Sequence, residues 1–386
     1  MLHHHKSRKQ KSPPKQPHQQ IHISSTGTRH RLIYITYIHQ KNTMEISKRS
    51  IKRISIIAAF ALIGYILLYE SLHHHHPSAT TTTTTKTSSF AFEKNVGTLA
   101  DPLKETDTPV YWHIPKASGS SMKAYYACMD LVLATQSGIT QNHDQDEKLL
   151  VWKRSIEDGL PAKYVNVDAT TEEGIARAKT LGLAKSGLAD VVFTPIPAVA
   201  TDMFDPKHHA RFFALFRHPI ERAVSIFYYH QVATHERGEG VYQPELADMT
   251  IQEWLGDNRR SGEAKNFLMK SILSKKSRDL IEDDLETAKE IIRTKFLVGL
   301  VSKMEESVER FDKYFGWYDH EKRPVCQEEA IQSGFNKNPH AAIEKGSETW
   351  NALAEVNDYD MQIYDFILEL FQKQGELFGK YEVNVD

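Results

Sequence analysis

Residues Val110 to Ser121 read V-Y-W-H-I-P-K-A-S-G-S-S, and few local structures accommodate that order of residue types. The β-prone run Val110 to Ile114 breaks at Pro115, passes through Lys116 and a stretch of small side chains, and meets an apolar-periodic segment at Met122. Strand, loop and helix are expected in that order. Ala117, Ser118, Gly119, Ser120 and Ser121 let backbone N–H groups converge at a helix N-terminus, where unpaired donors and the helix dipole both favour negative charge. Lys116 adds one mobile cation. A phosphate-like group is therefore the ligand this stretch points to.

With 386 residues, 40% of them hydrophobic, the chain can bury one large α/β core with appendages, or two modest ones. Charge is distributed unevenly. Residues 1–53 hold twelve Lys/Arg against the single acid Glu45, a net +11, so the rest of the chain carries −13 of the overall −2. A basic head on an acidic body indicates two environments and speaks against a nucleic-acid partner. Two cysteines, Cys128 and Cys326, support neither a zinc ribbon nor a disulfide framework, and leave one disulfide or two inert thiols open. No metal site is expected.

Residues 1–53, rich in Lys, Arg, His, Gln and Pro, read as a disordered cytoplasmic tail. Met44 opens M-E-I-S-K-R-S-I-K-R, which would serve equally well as a start. Residues 54–69, Ile54 to Tyr69, form a sixteen-residue run without charge between Lys52-Arg53 and Glu70. As a helix it spans roughly 24 Å, suited to the thinner membranes of the early secretory pathway. Its basic flank keeps the N-terminal side cytoplasmic, so the body faces the lumen. A cleaved signal peptide is the competing reading; the run exceeds a usual h-region and lacks an A-x-A exit. Residues 70–106, with His73 to His76, Thr80 to Thr85 and Ser88-Ser89, read as a low-complexity stem. The four histidines lack any nearby residue to complete a metal site. Residues 107–386 are the expected folded domain, and no N-x-S/T sequon occurs in the chain.

In that domain Met122, Tyr125, Tyr126, Met129, Val132 and Leu133 make one helical stripe, with both tyrosines as packing residues. Residues 135–188 are polar with helical patches, and Asp190 to Phe193 is a candidate strand. Phe212 to Phe216 reads as a fully buried parallel strand. It runs into R-H-P-I-E-R-A-V-S, where Pro219 suits a first helical turn and Ile220, Ala223, Val224 and Phe227 make a buried face. Arg222, Ser225 and Tyr229 would share the opposite face. Arg217 falls at the strand's carboxyl end, where ligands bind in open α/β sheets, and with Ser225 it could hold a second phosphate. Phe296 to Leu300 is a further strand, followed by a helix through Met304, Val308 and Phe311. Residues 324–348 read as loop. The terminal helix shows Met361, Tyr364, Ile367, Leu368 and Phe371 on one face. Alternating elements predict an α/β fold with a mainly parallel sheet flanked by helices.

Two anion elements about a hundred residues apart suit a nucleotide phosphorylated at both ends of its ribose. Neither G-x-x-x-x-G-K-[ST] nor a strand-borne G-x-G-x-x-G is present. In these respects the chain resembles the Golgi-type carbohydrate sulfotransferases, membrane-anchored enzymes that use 3′-phosphoadenosine 5′-phosphosulfate (PAPS). H-I-P-K-A-S-G-S-S (113–121) is similar to their H-I-P-K-T-G-G-T-S loop, and R-H-P-I-E-R-A-V-S (217–225) to their R-D-P-x-x-R-x-x-S element. V-G-L-V-S-K-M-E-E-S (298–307) and N-D-Y-D-M-Q-I-Y (357–364) resemble two further family motifs, so the likeness covers about residues 107–378.

The resemblance implies a P-loop-like sheet in a single lumenal domain, PAPS as co-substrate and a glycan acceptor at a single-pass type II Golgi membrane protein. It implies that Lys116 contacts the sulfonate and bridging oxygen, that Ala117, Ser118, Gly119, Ser120 and Ser121 form the 5′ loop, and that Arg217 and Ser225 hold the 3′-phosphate. Departures are Ala117-Ser118 for Thr-Gly or Thr-Ala, and His218 for Asp. Where relatives of the uronyl 2-O-sulfotransferase kind carry Gly-His, this chain has T-P-I-P-A-V (194–199). The acceptor base is thus unassigned, with His113, Asp202, His208 and His209 as candidates. Two other readings are a degenerate glycan-binding protein of the same fold, and a nucleoside-triphosphate-using P-loop enzyme.

Overall fold

The strand β6 (Ala210–Phe216) has all seven residues buried: the apolar run Phe212 to Phe216 is covered on both faces, and Arg211 is paired with Asp107. In the computed structural model the described residues are 92–136, 139, 143–154, 162–234, 241–276, 279–333 and 340–379. The expected tail, membrane anchor and most of the stem lie outside them. Among the described residues no helix is long and apolar enough to cross a membrane.

Around β6 stand β1 (Thr108–Trp112), β2 (Val132–Ala134), β3 (Val151–Lys153), β4 (Lys163–Val165), β5 (Val191–Thr194) and β7 (Phe296–Leu300), in the order β3-β4-β2-β5-β1-β6-β7. All neighbouring pairs are parallel except the edge pair β3–β4. The expected mainly parallel α/β sheet is present. Flanking helices include α1 (Gly119–Cys128), α2 (Glu172–Thr180), α3 (Pro219–His230), α4 (Phe267–Leu273), α5 (Glu282–Lys295), α6 (Met304–Phe315), α7 (Glu348–Glu355) and α8 (Asp358–Gln374).

Alternation along the strands divides the core into two layers. Val110, Trp112, Phe212, Phe216, Phe296 and Val298 face α4, α5 and α8. Tyr111, Phe193, Phe213, Leu215 and Leu297 face α1 and α6. The packing begins ahead of Asp107: Phe92 is 1% exposed, and Val96 bridges to Ala210 in parallel. Residues 92–106, expected as stem, therefore include part of the fold.

Several local expectations are corrected. The stripe begun at Met122 does not continue as helix to Leu133. The helix stops at Cys128, Asp130 turns the chain at φ 66°, and Val132–Ala134 becomes β2. Residues 135–188 contribute β3, β4 and α2, and the supposed loop 324–348 contains the helical turns Arg323–Cys326 and Gln327–Gln332. On α8 the buried face is Ile363, Tyr364, Ile367, Leu370 and Phe371, whereas Leu368 is exposed.

Cys128 and Cys326 form a disulfide that spans 198 residues and fastens the C-terminal end of α1 to the turn after α6. Beside it the Tyr125 hydroxyl donates to Asp312 Oδ2 at 2.6 Å and Arg323 Nε donates to the same oxygen at 2.8 Å. Burial, the largest influence, raises the Asp312 carboxyl to about 6 against those hydrogen bonds. Opening the bond frees a long loop in the unfolded chain, so Cys326→Ser should lose about 2–5 kcal/mol of stability. Urea unfolding of wild type and variant checks this; coincident curves would show that the bond contributes nothing.

Candidate functional site

The chain leaves β1 toward β2 on one side of the sheet, and leaves β6 toward β7 on the other. The crevice between the carboxyl ends of β1 and β6 is thus a topological switch point, where open α/β sheets place their ligands. Both sequence-predicted anion elements converge there. Arg217 Nη1 donates to the Lys116 carbonyl oxygen at 3.2 Å, joining residues 101 positions apart.

The loop after β1 owes its shape to two left-handed non-glycine residues, Lys116 (φ 65°) and Ser118 (φ 64°). Such residues cost about 1–2 kcal/mol each and bend successive N–H groups into a concave nest. Ser118 is the N-cap of α1, yet its side chain makes no capping bond. The helix terminus is therefore not closed by its own cap. Gly119 is buried against the His113 imidazole: a Cβ there would lie inside the ring atoms Cδ2 and Nε2. His113 in turn is pinned by its backbone N–H donating to Thr194 O at 2.8 Å. Burial first, and then the charge of Lys123, lower the His113 pKa to about 4, so the ring is neutral near pH 7.

Lys116 Nζ lies 3.5 Å from the centroid of the Tyr229 ring, on the last turn of α3. A cation–π contact of this kind is worth about 0.5–2 kcal/mol and holds the ammonium beside the loop. Arg217 Nε faces Glu221 Oε2 at 3.3 Å, and its side chain is 24% exposed. Ser225 is buried on α3. Arg222 is buried as well, which corrects the exposed face expected for Arg222, Ser225 and Tyr229. Its guanidinium lies over Phe267 and donates to the Glu263 carbonyl at 3.1 Å, while Nε and Nη1 have no hydrogen-bond partner among the described residues.

The two further motifs are structural supports of this edge. Asp360 accepts from the backbone N–H groups of Leu268 and Met269 at 2.9 and 3.1 Å, and Asn357 accepts from Asn266 N at 3.0 Å. Together they cap α4, with Arg222 as the nearby positive charge for buried Asp360. Ser307 Oγ accepts from Leu300 N at 2.9 Å and donates to Lys303 O at 2.7 Å, closing the β7-to-α6 turn. Gly299 lies where a side chain would meet Phe311 and Ser307.

Three of the four base candidates lie elsewhere. His208 and His209 precede β6, and Thr108 N donates to His209 O at the amino end of β1. A seven-residue strand, roughly 20 Å, separates them from Lys116 and Arg217. His208 is held by Asp205 at 3.1 Å. Asp202 is exposed and faces Lys179 at 3.8 Å. Only His113 lies at the loop. Sequence reading missed Tyr229 as the seat of Lys116, and Lys123 as the charge beside His113; the latter's position one turn beyond Ser120 was the available signal.

Among the described residues no group of three or more His, Cys, Asp or Glu side chains stands close enough to share a metal ion. No protein-family model matches the chain, and no curated protein matches it in sequence.

Proposed function

We propose that this chain is a membrane-anchored sulfotransferase, which moves a sulfonate group from PAPS to a hydroxyl of a glycan in the Golgi lumen. The observation that carries the reading is the hydrogen bond from Arg217 to the Lys116 carbonyl, which unites two anion elements in one crevice. Among the parallel strands the order β4-β2-β5-β1-β6-β7 is compatible with a P-loop-like fold. The Cys128–Cys326 disulfide suits an oxidising lumen.

The residues fit a nucleotide with phosphates at both ends of its ribose. Lys116 and the α1 terminus, at Gly119, Ser120 and Ser121, would receive the 5′-phosphosulfate; Arg217 and Ser225 would receive the 3′-phosphate. In the reaction the acceptor oxygen bonds to sulfur as the bond from sulfur to the bridging phosphate oxygen breaks. Lys116 and the helix terminus meet the charge left on that phosphate. His113, neutral and beside the loop, takes the proton of the acceptor hydroxyl.

Incubation of the full chain with radiolabelled PAPS and a panel of uronic acid, galactose and hexosamine glycans tests the reading. Label should reach a glycan. PAPS binding without transfer to any acceptor would favour the degenerate binding protein, and preference for ATP would overturn both. Arg217→Ala should weaken 3′-phosphoadenosine 5′-phosphate by about 10- to 100-fold, the worth of a charge-assisted hydrogen bond. Adenosine 5′-phosphosulfate, which lacks the 3′-phosphate, should lose little affinity. Equal losses for the two ligands would remove Arg217 from this role.

A further inference from the structure

A cleft of about 380 Å³ opens at the amino edge of the sheet, the edge opposite Lys116 and Arg217. Asp107, Asp190 and His208, which line it, precede β1, β5 and β6, whereas the anion loop and Arg217 follow β1 and β6. Trp317 forms one wall. Its ring is fixed against Tyr126 and Phe315, each at 4.9 Å between centroids, and remains partly exposed. Asp107 lies behind the exposed flank of Lys104 and Glu105, with its side chain 1% exposed. Its Oδ2 accepts from Arg211 Nε at 2.7 Å and from Lys104 N at 3.1 Å. Its Oδ1 is buried and has no hydrogen-bond partner among the described residues. A buried carboxylate oxygen with unused acceptor capacity is costly unless something donates to it.

The charges decide the ligand class. Lys104 and Lys185 are balanced by Glu105 and Asp190, and Asp107 is balanced by Arg211, so the wall has no net attraction for an anion. His208 is already engaged by Asp205. What remains is an aromatic plane surrounded by donors and acceptors of both kinds, in a volume typical of small-ligand sites. A sugar ring supplies the matching chemistry, with C–H groups for the indole and hydroxyls that donate to carboxylates and accept from ammonium groups.

We infer that this cleft binds a neutral sugar unit, at a site separate from the anion crevice. The inference does not depend on sulfonate transfer. It is tested by calorimetric titration of the full chain, without nucleotide, with a neutral hexasaccharide of alternating galactose and N-acetylglucosamine. Saturable binding is expected, unchanged in Lys116→Ala and weakened by about tenfold or more in the double variant Glu105→Ala/Lys185→Ala. Both changed side chains are exposed, so the variant should keep the wild-type unfolding curve. Trp317→Phe, which keeps a ring in the cluster, should weaken binding several-fold. Three results overturn the inference: no saturable binding, a wild-type constant in Glu105→Ala/Lys185→Ala, or loss of binding in Lys116→Ala. The last would move the sugar to the anion crevice and leave the sulfotransferase reading intact. Absence of label transfer with binding retained would do the reverse.

Discussion

Lys116→Ala should lower label transfer from PAPS by about 100- to 1,000-fold, the range found when one preorganised charge-stabilising group is removed from an acyl or phosphoryl-type site. The structure makes this a clean substitution. Lys116 is only partly buried, and its ammonium rests on the Tyr229 face. Its left-handed φ of 65° is as costly for alanine as for lysine, so the change leaves the backbone preference of the loop where it was. The unfolding curve should therefore overlay that of wild type. Nucleotide affinity should fall less than the transfer rate, because Arg217 and the α1 terminus still hold the phosphates while the charge that grows on the leaving oxygen goes unmet. Tyr229→Phe serves as the control: a phenyl face still seats the ammonium, and transfer should remain within a few-fold of wild type. Transfer by Lys116→Ala at more than about a third of the wild-type rate would take Lys116 out of the reaction.

How far the molecule is legible in its sequence depends on the length of each element. β6 and β7 announce themselves through runs of five residues without a polar side chain, Phe212 to Phe216 and Phe296 to Leu300, as strands buried on both faces require. β2, β3 and β4 are three residues each, too short for a period to register. The stripe from Met122 misleads because Val132 and Leu133 keep the helical spacing by coincidence, while the turn at Asp130 is a backbone event. Both anion elements are visible as residue types, yet their union is not: Arg217 reaches a backbone carbonyl, and every residue has one. The base candidates carry a different lesson. His208 and His209 are near Arg217 in number, but residues that precede a parallel strand emerge at the opposite edge from residues that follow it. That polarity was already contained in the strand assignment and removes both; Asp202 is removed by its place beside Lys179, and His113, which follows β1, is the candidate at the crevice.

The closeness of His113 and Gly119 gives the second large effect. Gly119→Ala would put a methyl group inside the imidazole, and neither partner can retreat freely: the helix begins at residue 119, and His113 is tied to Thr194 through its backbone. Overpacking of this kind costs about 1–3 kcal/mol, and here the displacement falls on the loop that receives the phosphosulfate. Binding of 3′-phosphoadenosine 5′-phosphate should drop by about tenfold or more, and transfer should be lost. Because the obstacle is a side chain, it can be removed. In Gly119→Ala/His113→Ala the methyl group occupies space the ring has vacated, and nucleotide affinity should return to within a few-fold of wild type, a coupling of about 0.5–3 kcal/mol between neighbours. Transfer should not return, since the double variant lacks the group that accepts the hydroxyl proton. Binding and transfer thus separate in one variant. Recovery of both would leave His113 as packing alone and the proton with another acceptor; recovery of neither would mean that the glycine serves the loop backbone rather than the ring.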